Sequence, residues 1–564
     1  MSEKARVFTS VSLYRLLLGL LLLLCCSWPS AAQAPMKKKL CGDGVCDMVE
    51  RSNTELCPKD CAGKEGELGG EMPDEEDLSG YSPSSVSGLS PSFGVHPSGA
   101  ENYKYAKELG LDFNREGVYF IWQWINPKKD GKLKFRNVPL PPKPGGKGFR
   151  PKPADYDRER EKLASAPGIS LMANLCPFMK NVGVEDEVFG SEKEKAAYAG
   201  FVEKLVERYD GDGDTGCSMK APDCYAKGDG QYPPESLIQA MKKNPVKTWQ
   251  VCNQVTDACK DRSCGFDGEH AAKYAKVLKI SYSAVKKSCP DCRVAIAGDS
   301  PARLYPPIFK ALGGRYFDIA DLHFFGPEGG YRNIAKELSF LKKSLKEAGL
   351  DPAGLKFWIT EMSTYSGKPK GRNLQGRPDP AQTEKQQARE LVKLFTAAYG
   401  EGVEKTLWAW GIFEGFGCEC CIFDYTGLVY DGDREMQECD DEDTTDLGEG
   451  VKKLGYYSLK LLIEKVRGFS SIEKVRTAGG ARVYKLGGNG RTVYIAWNDG
   501  KDAASVSPDE LGWARVKVTY SVPRFENGLK LLESEEEYPA FFDVAEAAGP
   551  VGLNKVPVFL EEYK

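Results

Sequence analysis

The sequence predicts an α/β fold: a (β/α)8 TIM barrel followed by a β-sandwich-like domain and preceded by a small disulfide-rich motif. Three observations predict it. Eight short apolar runs alternate with amphipathic helical patterns from residue 93 onward, the texture changes to period-two alternation after residue 466, and four cysteines crowd the stretch just before residue 62. A chain of 564 residues suits one large core with smaller modules, and 41% hydrophobic residues fill it.

Lys4, Arg6 and Arg15 precede an apolar run from Leu16 to Cys26, and small residues ending in Ala32-Gln33-Ala34 complete the pattern of a secretory signal over residues 1–34. The run falls short of the roughly 20 residues a spanning helix needs, so no membrane attachment beyond the export signal is expected. A secreted chain meets an oxidising compartment. Its 16 cysteines outside the signal, from a total of 18, therefore read as disulfides rather than zinc thiolates, for which three histidines offer little support.

In residues 35–61, Cys41-Gly-Asp-Gly-Val-Cys46 and Cys57-Pro-Lys-Asp-Cys61 enclose too few residues for a hydrophobic core, so disulfides would hold them. Asp43, Asp47, Glu50 and Asp60 offer oxygens suited to Ca²⁺, the only cofactor suggested, although short acidic side chains also simply make turns. Residues 62–92 are rich in Gly, Ser, Pro, Glu and Asp and read as a linker.

Residues 93–466 carry the barrel. Phe93 to His96, Phe113 to Glu116, Ser170 to Leu175, Thr248 to Cys252, Val294 to Gly298, Ile319 to Phe324, Lys356 to Thr360 and Thr406 to Gly411 are the strands. Helical spacing recurs at Glu192 to Tyr209, His270 to Ser288, Ile334 to Ala348 and Gln382 to Tyr399. Eight such units close naturally into a barrel. An open doubly wound sheet would place a Gly-rich phosphate turn after an early strand, whereas Gly145-Gly146-Lys147-Gly148 lies in a Pro- and Lys-rich loop. Asp210-Gly-Asp-Gly-Asp214 resembles a calcium loop, but its twelfth position is Ala221 and a turn is expected. Residues 467–564 read as the β domain, with strands at Ala481 to Leu486, Thr492 to Trp497, Val516 to Tyr520 and Val556 to Leu560 and a hairpin at Gly487-Gly488-Asn489-Gly490. The net charge of -4 gives no electrostatic footprint for nucleic acid.

Barrels present functional side chains at the C-terminal ends of their strands. Arg115 ends strand 2, Asn253 and Gln254 end strand 4, His323 ends strand 6 and Glu361 ends strand 7. With Trp249 to Gln254, Asp318 to His323 and Thr360-Glu361 as its most specific pieces, the stretch from about residue 93 to 560 resembles the clan A retaining glycoside hydrolases. The resemblance implies a glycan as partner, Glu361 as nucleophile, Arg115 beside it, His323 and Asn253 as sugar contacts, and Gln254 in the place of the acid/base Glu. Trp408 and Trp410, with Trp122 and Trp124, are candidates for aromatic platforms under sugar C–H faces.

An amide has no titratable proton, so Gln254 can hydrogen-bond a glycosidic oxygen but cannot act as general acid or base. Three readings stay open at this point: a substrate whose leaving group departs unaided, another carboxylate such as Asp257, Glu269 or Glu414 reaching in, or glycan binding without catalysis; the rival to all three is a non-catalytic extracellular scaffold. The resemblance also implies a Tyr on strand 6 that orients the nucleophile; Phe324-Phe325 stands there, with Tyr365 as a candidate substitute.

Overall fold

The computed structural model describes residues 79–563, apart from 100–101, 130–131, 141–152, 179–188, 214–231, 256–267, 371–377, 416–420, 433–446, 478–479, 529–534 and the single positions 127, 167 and 301. The signal, the cysteine-rich motif with its acidic side chains, and Asp257 lie outside the described residues.

The expected strands form as β1 (Ser92–His96), β2 (Phe113–Arg115), β3 (Ser170–Cys176), β4 (Val246–Val251), β5 (Arg293–Ala295), β6 (Ile319–Phe325), β7 (Lys356–Ser363) and β8 (Val403–Ala409). Each pairs in parallel with the next, and β8 pairs with β1, so the sheet is closed. Closure leaves no bare edge and directs alternate side chains inward. Among the surrounding helices, α1 (Glu192–Tyr209), α2 (Gly268–Ser288), α3 (Arg332–Glu347) and α4 (Glu384–Gly400) fall where the periodicity places them. Ile334, Leu338, Leu341 and Leu345 line the buried stripe of α3. The start of α4 is fixed by a capping box, in which Thr383 accepts from the Gln386 backbone N–H while the Gln386 side chain accepts from that of Thr383.

After α5 (Leu454–Val466) the chain forms β9 (Ser471–Arg476), β10 (Ala481–Gly488), β11 (Arg491–Asn498), β12 (Ala504–Val506), β13 (Val516–Tyr520), β14 (Val544–Ala547), β15 (Val551–Leu553) and β16 (Val558–Glu562). The order β9-β10-β11-β16-β13-β14 makes one antiparallel sheet, and β12 pairs with β15 in a second. Tyr494, Val516, Val518, Val558 and Leu560 belong to the domain's own core, while Ile495, Trp497 and Phe559, which point the other way, join the core shared with the barrel. The joint carries a buried polar cluster. Asp499 accepts from Lys393 Nζ at 2.8 Å and Tyr331 Oη at 2.6 Å.

The described part of the region read as a linker, residues 79–92, takes part in the fold. Ser85–Ser87 is a strand that pairs antiparallel with Ser471–Glu473 at the edge of the C-terminal sheet. The polar composition concealed one useful side chain: Val86 packs against the main core between two outward-facing serines. Ser82 Oγ then donates to Glu401 at 3.0 Å and accepts from Lys474 Nζ at 2.8 Å.

Cys176 is bonded to Cys252 and Cys289 to Cys292, and Cys421 is also disulfide-bonded. Asp210 accepts from the Asp212 backbone N–H at 3.3 Å, as the turn reading requires.

Candidate active site

Period-two alternation builds the barrel interior in layers. Phe113, Met172, Ala295, Ile319, Trp358 and Leu407 form an apolar plug. Gly94 of β1 has no room for a side chain in this layer, because a Cβ there would strike Leu407 and Phe113. Two residues further along their strands, Arg115, Asn174, Asp321 and Thr360 are buried with Gln250 of β4 in a polar layer. Gln250 Oε1 accepts from Arg115 Nε at 2.6 Å and Asn174 Nδ2 at 3.1 Å, while its Nε2 donates to Asp321 Oδ2 at 2.5 Å and Ile296 O at 3.1 Å. Burial pushes the Asp321 carboxyl up to about 7, against the opposing pull of Thr360 and Arg115.

Strand β7 departs from simple alternation. Leu322 stands opposite Ile359 and His323 opposite Glu361, so Thr360 is the extra residue of a bulge. Asp321 pins it, accepting from the Thr360 N–H at 2.9 Å and from Oγ1 at 2.5 Å. The bulge turns Thr360 and Glu361 inward one after the other, and the fully buried Glu361 enters the layer above Asp321.

Arg115 Nη1 donates to Glu361 Oε1 at 2.7 Å, and Nη2 donates to Asn253 Oδ1 at 2.5 Å. One guanidinium therefore joins the ends of β4 and β7. Gln254 follows immediately, its N–H donating to Gly298 O at 3.0 Å. The turn is unusual: Cys252 has φ 60° and Gln254 φ 42°, left-handed conformations that cost about 1–3 kcal/mol in a non-glycine residue. The Cys176–Cys252 disulfide, which ties the ends of β3 and β4 together, helps to hold it.

Two imidazoles flank the carboxylate. His96 Nε2 lies 3.5 Å from Glu361 Oε1, and His323 Nδ1 lies 3.3 Å from Oε2. Burial and the Arg115 charge hold both rings well below the ordinary histidine range, so they are neutral near pH 7. Their partners assign the tautomers. His96 Nδ1 is 2.9 Å from the Arg115 carbonyl, which only accepts, and therefore carries the proton. His323 Nε2 is 3.2 Å from Thr360 Oγ1, whose own proton goes to Asp321, so this ring is protonated at Nε2. The other nitrogen of each ring is buried without a hydrogen-bond partner. Two acceptor lone pairs thus face an acceptor carboxylate, an arrangement that favours a donor shared by the two from the side.

Arg115, Asn253, His323 and Glu361 are accordingly brought together, with Gln254 beside them. Trp410 joins this group and Trp408 does not. Leu407 points into the barrel, so Trp408 points out; it is 1% exposed, lies 6.4 Å from Phe395 in a stacked pair and donates to Thr426 O at 2.9 Å. Trp122 is likewise core. Trp410 is partly exposed beyond the strand end, 4.8 Å from the His96 ring and 5.9 Å from Phe423, which in turn lies 4.9 Å from Phe325. Thermal unfolding should separate the two tryptophans: Trp408→Ala is expected to cost about 3–5 kcal/mol, whereas Trp410→Ala should cost far less.

Among the described residues, Glu269, Glu414 and Tyr365 are engaged away from this group. Glu269 is a solvated helix-start residue paired with Lys273 at 2.9 Å, and Glu414 is ion-paired with the buried Lys453. Tyr365 donates to Pro380 O at 2.8 Å in a separate cluster with Tyr425. Instead, Tyr119 Oη accepts from Arg115 Nη2 at 3.4 Å, and its phenol is raised by burial with a contribution from the Glu361 charge. Sequence reasoning missed both Tyr119 and His96. His96 ends an apolar run as His323 does, and Tyr119 follows Arg115 by four residues, so both signals were present.

Solved structures share this architecture. A family 39 glycoside hydrolase from the gut symbiont Bacteroides cellulosilyticus WH2 superposes with TM-score 0.51 and 16% identity, covering 88% of this chain and 83% of its own. A family 51 α-L-arabinofuranosidase from Bifidobacterium longum gives TM-score 0.52 and 12% identity over 85% of this chain and 97% of its own. The chain shares the fold of these glycoside hydrolases. A thermostable family 51 α-L-arabinofuranosidase from Thermotoga petrophila RKU-1 agrees at TM-score 0.50 and 12% identity, covering 85% of this chain and 98% of its own. No protein-family model and no curated protein matches this chain in sequence, so the likeness is one of fold.

Proposed function

We propose that this is a secreted protein whose barrel mouth binds a glycan, with Glu361 as a retaining-type nucleophile and Gln254 in the acid/base position. The observation that carries the reading is the setting of Glu361: a carboxylate held by Arg115 between two neutral imidazoles whose inward nitrogens have no hydrogen-bond partner. Sugar hydroxyls are donors of the required kind, and Trp410 offers a ring face beside them. In a retaining mechanism the two catalytic groups stand about 5–5.5 Å apart, one attacking the anomeric carbon and the other assisting the leaving oxygen. The attack needs only Glu361; the assistance needs a proton that an amide cannot supply.

The test is a panel of activated 2-fluoro glycosides, arabinofuranosyl and xylosyl among them, followed by peptide mass analysis. A covalent adduct on Glu361 is the expected result. Binding on a glycan array without an adduct would instead identify a non-catalytic lectin-like barrel, which the amide at 254 favours. Silence in both assays would overturn the carbohydrate reading.

A further inference from the structure

Resting on the proposed function for its kinetic consequence, we infer that Asp321, Thr360 and His323 form a proton relay whose state decides whether His323 opposes the Glu361 carboxylate or donates to it. Asp321 and Thr360 are then positioning residues, acting on Glu361 only through the imidazole. The contacts run without a gap. Thr360 Oγ1 donates to Asp321 Oδ2 at 2.5 Å, His323 Nε2 donates to Thr360 Oγ1 at 3.2 Å, and His323 Nδ1 lies 3.3 Å from Glu361 Oε2. Gly298, just past β5, leaves the room for this meeting, because a Cβ there would strike both His323 Nε2 and Asp321 Oδ2.

The donors around Asp321 leave one link that can reverse. Asp321 Oδ1 accepts from the Thr360 N–H, a backbone group that can only donate. Oδ2 accepts from Gln250 Nε2, and that amide cannot turn over, since its oxygen already accepts from Arg115 Nε. A hydroxyl both donates and accepts, so of these links the one to Thr360 Oγ1 runs either way. Burial brings the Asp321 carboxyl to about 7, which places the reversal within an ordinary pH range. The titratable and charged groups that face the relay are Arg115, His96, Glu361 and the phenols of Tyr274 and Tyr305; burial keeps both phenols neutral, and Arg115 stays charged.

The transfer balances without an oxidant or reductant. As pH falls through this range a proton from the pocket bonds to His323 Nδ1, the Nε2 proton passes to Thr360 Oγ1, and the Oγ1 proton passes to Asp321 Oδ2. The imidazole stays neutral, Asp321 becomes a neutral acid, and the relay has gained a single proton. Nδ1 then donates to Glu361 Oε2, where before it presented a lone pair. A donor stabilises a carboxylate more than the ester it becomes, so the acid form of the relay slows attack by Glu361.

The experiment uses the full-length chain labelled with ¹⁵N-histidine, in which His96, His270 and His323 are the three histidines and His270→Gln and His323→Gln samples assign the ring signals. On going from about pH 5.5 to about pH 8.5 the protonated nitrogen of His323 should change from Nδ1 to Nε2. Over the same interval the rate at which an activated 2-fluoro glycoside labels Glu361 should rise about ten- to a hundredfold, the scale of one hydrogen bond to a charged group. Thr360→Val should erase both steps and Thr360→Ser should keep them, whereas a merely structural Thr360 would lower the rate at every pH alike and leave the steps in place. A His323 that holds one tautomer throughout, or that becomes doubly protonated, would overturn the relay, as would steps that survive in Thr360→Val. If Glu361 takes no label at any pH, the proposed function fails by itself, and the exchange of the His323 nitrogens still decides the relay.

Discussion

Glu361→Gln is expected to abolish covalent capture and to lower release of dinitrophenolate from an activated glycoside by at least about 10⁴, the scale on which loss of a nucleophile is felt. The shape of the side chain is kept, so Arg115 retains Gln250 and Asn253 as acceptors and the amide oxygen can still meet Nη1. Some stability should nevertheless be lost, because a buried cation gives up its charged partner; removing one member of such a pair costs about 3–5 kcal/mol when nothing replaces it. The kinetic loss and the thermal shift are therefore to be measured together. A variant that remained folded and still released dinitrophenolate at the parent rate would show that Glu361 does not attack.

The second large effect runs in the opposite direction. Gln254→Glu should raise hydrolysis of unactivated glycosides by about 10²–10⁴, corresponding to roughly 3–5 kcal/mol of barrier. The exchange is isosteric, and both residues meet the same backbone demand at φ 42°. Its N–H bond to Gly298 is untouched. The gain should be greatest for poor leaving groups and small for dinitrophenyl glycosides, because the restored carboxyl protonates an oxygen that the better leaving group can release without help. Equal gains across leaving groups would argue against protonation as the cause, and no gain at all would place Gln254 outside the reacting geometry.

The barrel was legible because its eight strands are apolar runs separated by helices of 3.6 periodicity, a pattern that survives low sequence similarity. The strand-end residues were legible for a related reason: Arg115, His323 and Glu361 each interrupt an apolar run where a barrel opens. Trp408 was misplaced because its position near the end of a strand said nothing about which face it occupied; that followed only from Leu407 pointing inward. The bulge at Thr360 was not legible either, since an extra residue in one strand appears only against its neighbours. Gln250 and Asp321 carried no role of their own in the sequence, yet they buttress Arg115 and Thr360 from below. Val86 was hidden by the serines around it.

That short strand at Ser85–Ser87 has a wider consequence. It completes the outer margin of a sheet whose other members lie nearly four hundred positions downstream, and Ser82 bridges Glu401 of the barrel to Lys474 of the β domain. The segment from Ser82 to Ser87 is fastened like a buckle over the trailing lobe. Division at residue 466, where the pattern changes, would therefore yield two halves that each expose a torn seam, and a version trimmed to residue 93 would leave β9 unclasped and open to pairing with a neighbour. Melting of the barrel and the β domain should accordingly pass through one cooperative step, the lobes parting company only as both come undone.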